Sequence, residues 1–372
     1  MESQRNKRIA IISVSADAYS ETFIKAHIDF LEGEKFFLYG AYKPIYYLGK
    51  QIVFLIPPIK RFFLKYVLKK NLLDYSIKYF LRSHRIDVIL AEYGPTGCTI
   101  LDIAKQLRIP LVVHFHGYDA SSEKLLNEYR DQYKQLFVYA SFIIVVSHKM
   151  RENLYKIGAD ERKVIYAPYG PASVFTDVIP DYNNAGSALF VGRFVDKKAP
   201  WLLIEIIKKI RDKGYKLELV MAGDGILLET CKGLVKIYGL DKEIILHGAV
   251  SHSEVKDLMA KSFCYIQHSV TTSDGETEGT PVSILEASQA GLPVISTNHA
   301  GIPDVIIHNE TGFLVNEFDI DAMAEYLVLL NNNRKLAREM GTRAKIRIKE
   351  NFSLEKHISI LNKSLKEAIE GY

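Results

Sequence analysis

Strand-like and helix-like segments alternate along almost the whole chain, and this alternation constrains the fold more than any other feature of the sequence. In the N-terminal half, amphipathic helical stretches separate the β-rich runs RIAIISVSA, DVILAEYG, PLVVHFHG, FIIVVSH and KVIYAPYG. The pattern resumes later with ALFVGR, KLELVMAGDG, EIILHGAV, FCYIQHS and LPVISTN. Such alternation is typical of a parallel sheet covered by helices, and it occurs here twice.

The two series are separated by residues 171–186, PASVFTDVIPDYNNAG, which have no clear period and are rich in Pro, Asn and Gly. We interpret this segment as a linker. The sequence therefore predicts an α/β protein with two doubly wound parallel-sheet domains, residues 1–180 and 187–352, and a C-terminal helix over 353–372 that packs back toward the first domain. Ligands of such folds bind beyond the carboxyl ends of the strands, so we expect the site in a cleft between the domains.

The composition excludes several classes of protein. No apolar run in the 372 residues approaches the roughly 20 residues that span a bilayer. The polar start MESQRNKR leads directly into a strand-like run without a cleavage signal, so secretion is not expected. Cys98, Cys231 and Cys264 are unpaired in spacing and are typical of reduced thiols in a cytoplasmic protein, with no zinc or redox motif.

The net charge of +4 conceals a basic segment in the first half. Residues 59–70 read IKRFFLKYVLKK and interleave basic with aromatic and aliphatic side chains. A basic amphipathic helix of this kind indicates contact with an anionic membrane surface. The predicted contact residues are Lys60, Arg61, Phe62, Phe63, Lys65, Lys69 and Lys70. The alternative is a core helix with a solvated basic face; a nucleic-acid partner is not expected, because no recognition motif accompanies the basic residues.

The stretch EGTPVSILEA predicts a helix over residues 281–290, with Thr280 as its N-cap and Gly291 as its stop. Glu278 lies just before this helix and Glu286 inside it. The helical rise puts the two carboxylates about 10 Å apart, with unpaired backbone N–H groups between them. A nucleotide-sugar fits this layout, with its pyrophosphate at the helix N-terminus and hydroxyl groups on both sides. The alternative is a surface helix with two solvated glutamates.

Two further strand ends carry candidate phosphate-binding residues. In VGRFVDKKAP, Arg193 and Lys198 could neutralise a diphosphate leaving group, and Lys197 is a rival for the same role. In AGDG, Gly223 and Gly225 permit a tight turn and a close backbone approach to a ligand. A basic strand-end loop is common in proteins without a phosphate ligand, so each motif alone is weak.

His114 and His116 in HFHGYDAS alternate along a strand end and should face the same way. A metal pair is one interpretation, but the sequence positions no third ligand, and we favour polar residues that line a cleft. The chain contains no GxSxG, Walker or GxGxxG signature. Serine hydrolases, P-loop kinases and dehydrogenases therefore lose their main support.

Taken in order, VGRFVDKK, AGDG, EGTPVSILEASQAGLPVIST, GIPDVI and NETGFLV resemble the donor-binding domain of glycosyltransferase family 4. The resemblance covers nearly the whole second half. In the first half, YSETFIKAHI, AEYGPTG and HFHGYDAS resemble members that build bacterial exopolysaccharide and other surface glycans. It implies two Rossmann-like domains that face a cleft (the GT-B fold), the first binding the acceptor and the second the nucleotide-sugar donor, and transfer with retention of anomeric configuration.

The resemblance also implies a role for each matching residue. Glu278 and Glu286 fit the E-x7-E motif of the family; the first would hold hydroxyls of the donor sugar and the second the ribose. Arg193 and Lys198 match the pair that binds the pyrophosphate. His116 matches the histidine that contacts the transferred sugar at the cleft edge.

Backbone groups complete the donor site that the resemblance implies. Gly279, Thr280 and Pro281 would present backbone N–H groups to the sugar or phosphate. The chain departs from the family at the first strand end, where SADAYSETF replaces a Gly-Gly loop. Ser20, Glu21 and Thr22 would then contact the phosphate or the acceptor.

The sequence thus predicts a retaining enzyme that moves a hexose-type sugar from a UDP- or GDP-sugar to an acceptor hydroxyl, with the departing phosphate accepting the proton. No D-x-D signature lies near the proposed site, so we expect catalysis without a metal or other cofactor. The expected acceptor is a lipid-linked saccharide, and the expected location is the inner face of the cytoplasmic membrane. The alternatives are a glycoside hydrolase and a non-catalytic nucleotide-sugar-binding or scaffold protein.

Overall fold

The structure is a computed structural model that describes residues 6–15, 22–67, 71–184 and 186–372. The chain divides into two compact units: Met1–Ala167 with His357–Tyr372, and Pro168–Lys356. The first unit therefore ends earlier than the predicted boundary at residue 180. The predicted linker belongs to the second unit. Its side chains Phe175, Val178 and Tyr182 are buried, whereas Val174 and Ile179 are exposed.

The first unit contains one eight-stranded sheet with the order β4-β3-β2-β1-β5-β6-β7-β8. Its strands are β1 (Arg8–Ile12), β2 (Glu34–Tyr39), β3 (Tyr46–Tyr47), β4 (Lys50–Gln51), β5 (Val88–Glu92), β6 (Leu111–His114), β7 (Phe142–Val145) and β8 (Val164–Tyr166). All neighbours are parallel except β2–β3 and β3–β4, which pair antiparallel. The central β5 and β6 are buried along their whole length, as expected for strands covered on both faces.

The first unit also contains α-helices. They are α1 (Thr22–Phe30), α2 (Pro58–Phe62), α3 (Leu72–Ser83), α4 (Gly94–Leu107), α5 (Glu123–Glu128), α6 (Arg130–Tyr139), α7 (His148–Lys156) and, from the other end of the chain, α15 (Leu354–Glu370). Side chains cap several of them: Asn71 accepts hydrogen bonds at the start of α3, and Ser147 does so at the start of α7. The residues of α15 from His357 onward belong to this unit.

The second unit has a six-stranded parallel sheet with the order β11-β10-β9-β12-β13-β14. Its strands are β9 (Ser187–Val191), β10 (Glu218–Ala222), β11 (Ile244–Gly248), β12 (Ser262–Gln267), β13 (Val294–Thr297) and β14 (Gly312–Val315). Its helices are α8 (Pro200–Asp212), α9 (Leu228–Tyr238), α10 (His252–Ala260), α11 (Val282–Ala290), α12 (Ile302–Val305), α13 (Ile320–Asn332) and α14 (Arg334–Asn351). The prediction of two doubly wound α/β domains is confirmed, apart from the antiparallel edge of the first sheet.

Helix α11 agrees with its predicted range to within one residue but starts differently. Thr280 is not the N-cap: Pro281 occupies that position with extended backbone, and no side chain among the described residues caps the helix. The helix ends as predicted at Gly291, whose φ of 92° lies in the left-handed region that glycine adopts without strain. The first backbone N–H groups of α11 are therefore not occupied by a capping side chain.

The basic segment folds as α2 followed by a wider helical turn, Phe63–Val67. Leu64 is buried, whereas Ile59, Phe62, Phe63 and Tyr66 are at least half exposed. The alternative of a core helix is therefore wrong for the described part of the segment. The predicted contact residues Lys69 and Lys70 lie outside the described residues. Within the described parts of the chain, no helix combines the length and the apolar character that crossing a membrane requires.

Candidate active site

In the second sheet, the chain reverses its winding direction between β9 and β12, which lie side by side. Lys198 follows the end of β9, and Gln267 is the last residue of β12. In open α/β sheets, ligands bind beyond the carboxyl ends of the strands at such a reversal. These two side chains therefore mark the expected ligand position of this unit.

Lys198 and Glu278, which the sequence analysis placed in one site, form a buried ion pair. The Lys198 Nζ lies 3.0 Å from Oε1 of Glu278 and 3.4 Å from Oε1 of Gln267. Burial opposes ionisation of Glu278, but the charges of Lys198 and Lys197 outweigh it and lower the pKa of this carboxyl to about 2. The site thus holds a carboxylate and an ammonium group away from water.

The two other candidate cations differ in their surroundings. Lys197 is also buried, and its Nζ lies 2.6 Å from Oε1 of the partly exposed Glu276. Arg193 is exposed. The charges of Lys197 and Arg193 both act on Lys198, where burial lowers the pKa of the ammonium group and the pairing with Glu278 opposes that effect. The positive charges of three basic residues therefore influence one another near this strand end. Of the three, only Lys198 contacts Glu278.

A histidine that the sequence analysis did not select holds the backbone of Glu278. The Glu278 N–H donates to Nε2 of His299 at 3.1 Å. The other ring nitrogen, Nδ1, donates to Oε1 of Glu317 at 2.7 Å. Glu317 also accepts a hydrogen bond from the N–H of Thr271 at 2.8 Å. His299 thus connects the loop before α11 to the loops that follow β12 and β14.

Glu286, the second glutamate of the motif, lies in α11 and is 7% exposed. Burial raises the pKa of its carboxyl to about 8. Among the described residues, no hydrogen bond or ion pair compensates the burial of this group. The segment Gly279, Thr280 and Pro281 before the helix is buried as well. Pro281 has no backbone N–H, so of these three residues only the first two can donate as predicted.

The two glycines of AGDG have a structural reason for lacking a side chain. A Cβ on Gly223 would lie 1.9 Å from the carbonyl oxygen of Gly192, and a Cβ on Gly225 would lie 2.5 Å from that of Phe194. Both glycines also have positive φ angles, 138° and 153°. The backbone that approaches these two glycines closely is therefore that of the loop after β9, which carries the candidate cations.

In the first unit, a fully buried carboxylate lies at the end of β5, next to β1 where this sheet reverses its winding. Glu92 Oε1 lies 2.8 Å from Nδ1 of His27 on α1, and its Oε2 lies 2.9 Å from Nε2 of His116. Burial opposes ionisation, but the charge of His27 and the hydrogen bonds from both histidines lower the pKa of Glu92 to about 2. The predicted sugar-contacting His116 is therefore held by an ionised carboxylate.

The C-terminal helix extends this cluster. His357 on α15 places its Nε2 2.8 Å from Nε2 of His27, and its Nδ1 lies 3.1 Å from the carbonyl oxygen of Ala167. Burial lowers the pKa of His357 to about 3. His114 lies beside these rings and is stacked on His116, with centroids 4.3 Å apart; burial lowers its pKa well below the ordinary value.

The loop around His116 is fixed by a second buried carboxylate and by strained backbone. Asp119 accepts hydrogen bonds from the backbone N–H groups of Gly94, His116 and Gly117 at 2.9 to 3.0 Å. Tyr93 has a φ of 78° and a ψ of 141°, a conformation that costs energy for a residue with a Cβ. Its ring lies 4.5 Å from that of His116. Backbone strain of this kind is concentrated at functional sites in proteins.

Two overlapping groups in this cluster could hold a metal ion, namely His27, His114 and His357, and Glu92, His114 and His116. The structure therefore supplies the third residue that the sequence did not position. Nitrogen ligands of a tetrahedral zinc ion lie about 3.3 Å apart. The 2.8 Å contacts of His27 with Glu92 and His357 are shorter and fit hydrogen bonds. Metal binding would require these rings to separate.

Part of the predicted site lies outside the described residues. Ser20 and Glu21 are not described, and Thr22 is the first residue of α1. The proposed contact of these three residues with phosphate or acceptor stays a prediction. The predicted distance of about 10 Å between Glu278 and Glu286 is likewise untested.

Several residues that complete the two clusters were missed by the sequence analysis: His27, Glu92, Asp119, Gln267, His299 and His357. A signal existed for some of them. Glu92 and Gln267 lie near the ends of predicted strand-like runs and are the last residues of β5 and β12; ligand-binding side chains concentrate at such positions in parallel sheets. No local signal connects His357 with His27, which lies 330 positions away in the chain.

Comparison with known families covers both units. The model described as "Glycosyltransferase Family 4" matches residues 37–170, and the model described as "Glycosyl transferases group 1" matches residues 179–347. The first match includes Glu92, His114 and His116, and the second includes Lys198, Glu278 and Glu286. Both clusters therefore lie within family-matched sequence, and only His27 and His357 fall outside it.

Among similar proteins are the Escherichia coli WcaL, named as a colanic acid biosynthesis glycosyltransferase, and the amylovoran biosynthesis glycosyltransferase AmsK of Erwinia amylovora. WcaL is 28% identical over 298 residues, which cover 77% of this chain and 71% of WcaL. AmsK is 27% identical over 288 residues, which cover 76% of this chain and 70% of AmsK. The crystal structure of Anabaena HepE in complex with UDP and glucose superposes with a TM-score of 0.73 over 98% of this chain and all of HepE, at 14% identity, which shows a shared fold.

Proposed function

This chain belongs to glycosyltransferase family 4, and we propose that it transfers a hexose-type sugar from a UDP- or GDP-sugar to a hydroxyl of a lipid-linked saccharide, with retention of anomeric configuration. Exopolysaccharide synthesis is the proposed context, because WcaL and AmsK are named for the synthesis of colanic acid and amylovoran. The proposal concerns the donor, the stereochemistry and the acceptor; glycosyl transfer itself follows from the family.

The buried pair of Lys198 and Glu278 at the strand reversal carries this proposal. A buried ion pair contributes little to stability compared with well-packed apolar residues, so its presence calls for another reason. An anionic ligand supplies one: a diphosphate can take over the ammonium group of Lys198, and the hydroxyls of a sugar can donate to the carboxylate of Glu278. Both partners would then stay satisfied after the ligand has entered.

The remaining donor contacts follow from the positions of the other residues. Exposed Arg193 adds a second cation for the departing diphosphate. Glu286 would accept the ribose hydroxyls, and Gly279 and Thr280 would donate their backbone N–H groups at the start of α11. HepE, which has the same fold, was crystallised with UDP. A nucleoside diphosphate is therefore the proposed leaving group.

The proposed reaction exchanges one bond at the anomeric carbon on a single face of the sugar. The bond to the donor phosphate oxygen breaks as the bond to the acceptor hydroxyl forms, and the departing phosphate takes up the hydroxyl proton. Lys198 and Arg193 would stabilise the negative charge that develops on the diphosphate, a role that a metal ion can also fill. We propose that these cations act without a metal.

A surface of the first unit supports the proposed membrane contact. Ile59, Phe62, Phe63 and Tyr66 expose between 50% and 87% of their surface. Next to them, the Arg61 guanidinium lies 4.8 Å from the ring centre of Phe54, itself 64% exposed. Exposed aromatic side chains among cations favour the interface of an anionic membrane. We propose that this surface attaches the enzyme to the inner face of the cytoplasmic membrane, where a lipid-linked acceptor would lie.

The donor is identified by incubating the purified protein with a panel of UDP- and GDP-sugars and a lipid-linked saccharide extract, with and without EDTA. Released nucleoside diphosphate is followed by mass spectrometry, and the anomeric configuration of the product is determined by NMR. We expect turnover of one donor that EDTA does not reduce and an α-linked product from an α-linked donor. Inversion of configuration, loss of activity in EDTA or hydrolysis of a preformed glycoside would each contradict part of the proposal.

Membrane attachment is tested by co-sedimentation with vesicles of phosphatidylcholine alone and with about one third phosphatidylglycerol. We expect binding to the anionic vesicles only, and a loss of about tenfold in the double variant Lys60→Glu, Lys65→Glu. The matched control is Lys363→Glu, Lys366→Glu on α15, whose side chains are 76% and 71% exposed. Equal binding to both vesicle types, or equal loss in both variants, would overturn the proposed surface.

A further inference from the structure

Four buried side chains of the first unit form a continuous chain of hydrogen bonds that ends at His116. His357, His27, Glu92 and His116, here called the histidine relay, are joined by contacts of 2.8, 2.8 and 2.9 Å. Each is 9% exposed or less. The relay joins four separate elements: α15, α1, β5 and the loop after β6. Only its last member was selected for a role by the sequence.

The direction of the hydrogen bonds follows from the groups at one end. The carbonyl oxygen of Ala167 can only accept, so Nδ1 of His357, 3.1 Å away, must donate. Burial lowers the pKa of His357 to about 3, so its ring is neutral and Nε2 carries a lone pair. The Nε2 of His27, 2.8 Å from that lone pair, must therefore be a donor.

The remaining contacts point the same way. The carboxylate of Glu92 can only accept, so it receives one hydrogen bond from Nδ1 of His27 and one from Nε2 of His116. His27 then donates from both ring nitrogens and carries a positive charge beside the buried carboxylate. Every described contact in the relay is satisfied by this one assignment, and it leaves His116 with a proton on Nε2.

The ring of His116 is also confined by packing. Phe23 stacks on it with centroids 4.5 Å apart, His114 stacks at 4.3 Å, and Tyr93 lies at 4.5 Å. Packing fixes the plane of an imidazole ring, but it does not choose between the two tautomers. The hydrogen bond to Glu92 makes that choice, because a carboxylate requires a donor on the nitrogen that faces it.

We propose that His357, His27 and Glu92 are positioning residues that hold His116 in a single orientation with its proton on Nε2, for contact with the transferred sugar. This inference rests on the proposed function and on the contact with the transferred sugar that the family resemblance implies for His116. It assigns a role in the active site to α15, the last helix of the chain, whose His357 fixes the donor direction of His27. Holding one reactive geometry in advance lowers the cost of reaching the transition state.

The relay is tested first by NMR on the full chain labelled with ¹⁵N-histidine, with His116→Gln used to assign the His116 signals. We expect the pattern of a single Nε2–H tautomer for His116 in the wild type. In Glu92→Gln, the side chain offers one acceptor oxygen and one NH₂ group, so one of the two histidines must change its protonation. Mixed tautomers of His116 in the wild type, or unchanged signals of both His27 and His116 in Glu92→Gln, with His27→Gln used to assign the His27 signals, would overturn the relay.

Kinetics with the identified donor provide the second readout. We expect kcat to fall about 30- to 100-fold in Glu92→Gln while the donor KM changes less than about threefold, because the proposed contacts to the diphosphate and the ribose lie in the second unit. His357→Leu should lower kcat about tenfold, and His357→Gln, which can still accept from His27, should recover most of that loss. The control His84→Gln, another histidine of the first unit, should leave kcat and the His116 signals unchanged.

The two readouts separate failure of the relay from failure of the proposed function. If no donor is turned over by the wild type, the proposed function fails while the NMR assignment still tests the relay. If turnover is found but His357→Leu and His357→Gln lower kcat equally, or if kcat and KM change together in Glu92→Gln, the positioning role is wrong. Unfolding temperatures of all variants are compared so that a loss of folded protein is recognised.

Discussion

Glu278 and Glu286 belong to one short stretch of sequence and are almost equally buried, with 8% and 7% of their surfaces exposed. The pKa of Glu278 is nevertheless lowered to about 2, whereas that of Glu286 is raised to about 8. Burial favours the neutral form of both carboxyl groups. The difference is the ammonium group of Lys198, 3.0 Å from Glu278, since no described residue supplies such a partner to Glu286.

The comparison indicates which contacts a ligand would change. The Glu278 region holds opposite charges that already balance, so a diphosphate and a sugar would replace one set of partners with another. The Glu286 region holds a carboxyl group that lacks a partner, so ribose hydroxyls would supply hydrogen bonds that the described chain does not. The surroundings of Glu278 therefore suit a charged group of the ligand, and those of Glu286 suit a neutral polar group.

The largest effect is expected from Lys198→Ala, which removes the difference between the two regions. Without the ammonium group, the pKa of Glu278 should rise as that of Glu286 has done, and the diphosphate loses a buried cation. We expect kcat to fall by about 10² to 10³, and the free energy of unfolding to fall by about 3 to 5 kcal/mol because a buried charge is left unpaired. Steady-state kinetics and urea unfolding measure the two effects.

The double variant Lys198→Ala, Glu278→Ala provides the control for stability. If the two residues form the pair seen in the structure, removing both should cost less stability than the sum of the single substitutions, since no unpaired charge remains. Additive losses would show that the two side chains do not interact. Activity should be lost in the double variant as well, because both proposed donor contacts are absent.

An intermediate effect is expected for the pH dependence of stability. Glu286 in the folded chain retains its proton up to about pH 8, whereas the unfolded chain loses it near the ordinary value of 4.5. The contribution of Glu286 to the free energy of unfolding is therefore fully present below pH 4.5 and is lost as the pH rises through 8. Glu278 has the opposite sign: its contribution is present above pH 4.5 and is lost as the pH falls toward 2.

Urea unfolding of the wild type and of Glu286→Gln between pH 5 and pH 8.5 measures this prediction. We expect the wild type to lose on the order of 3 kcal/mol more than the variant across this range, because the variant has no proton to release. Glu278→Gln, which retains Glu286, should follow the wild-type slope above pH 5. Parallel curves for all three proteins would contradict the opposite environments of the two glutamates.

The sequence predicted the fold well where its signals were periodic. Buried strands such as Val88–Glu92 alternate with amphipathic helices, and this period is sufficient to predict two doubly wound sheets. The two-residue strands Tyr46–Tyr47 and Lys50–Gln51 are too short to produce a period and were missed. Thr280 has the composition of an N-cap, but the extended backbone at Pro281 displaced the helix start by one residue.

The site was predictable only as far as local motifs reach. Lys198 and Glu278 were selected from separate motifs, and the fold brings their charged atoms together. Residues that support such a pair from other elements carry no local signal, as His299 and Gln267 show. The histidine relay is the extreme case, because its contacts join residues from opposite ends of the chain, and tertiary packing alone decides which histidines meet.

The smallest effect is expected from Lys197→Ala, which extends the comparison from the two glutamates to the two neighbouring lysines. Lys197 and Lys198 are neighbours in sequence and equally buried, but Glu276, the partner of Lys197, has a side chain that is 34% exposed. Water can replace Lys197 around that carboxylate, so we expect a loss of about 1 kcal/mol or less in the free energy of unfolding. Because Lys197 does not contact Glu278, kcat should stay close to the wild-type value. A loss of kcat as large as in Lys198→Ala would instead assign the leaving-group cation to Lys197, the rival that the sequence left open, and the ion pair with Glu278 would then be structural.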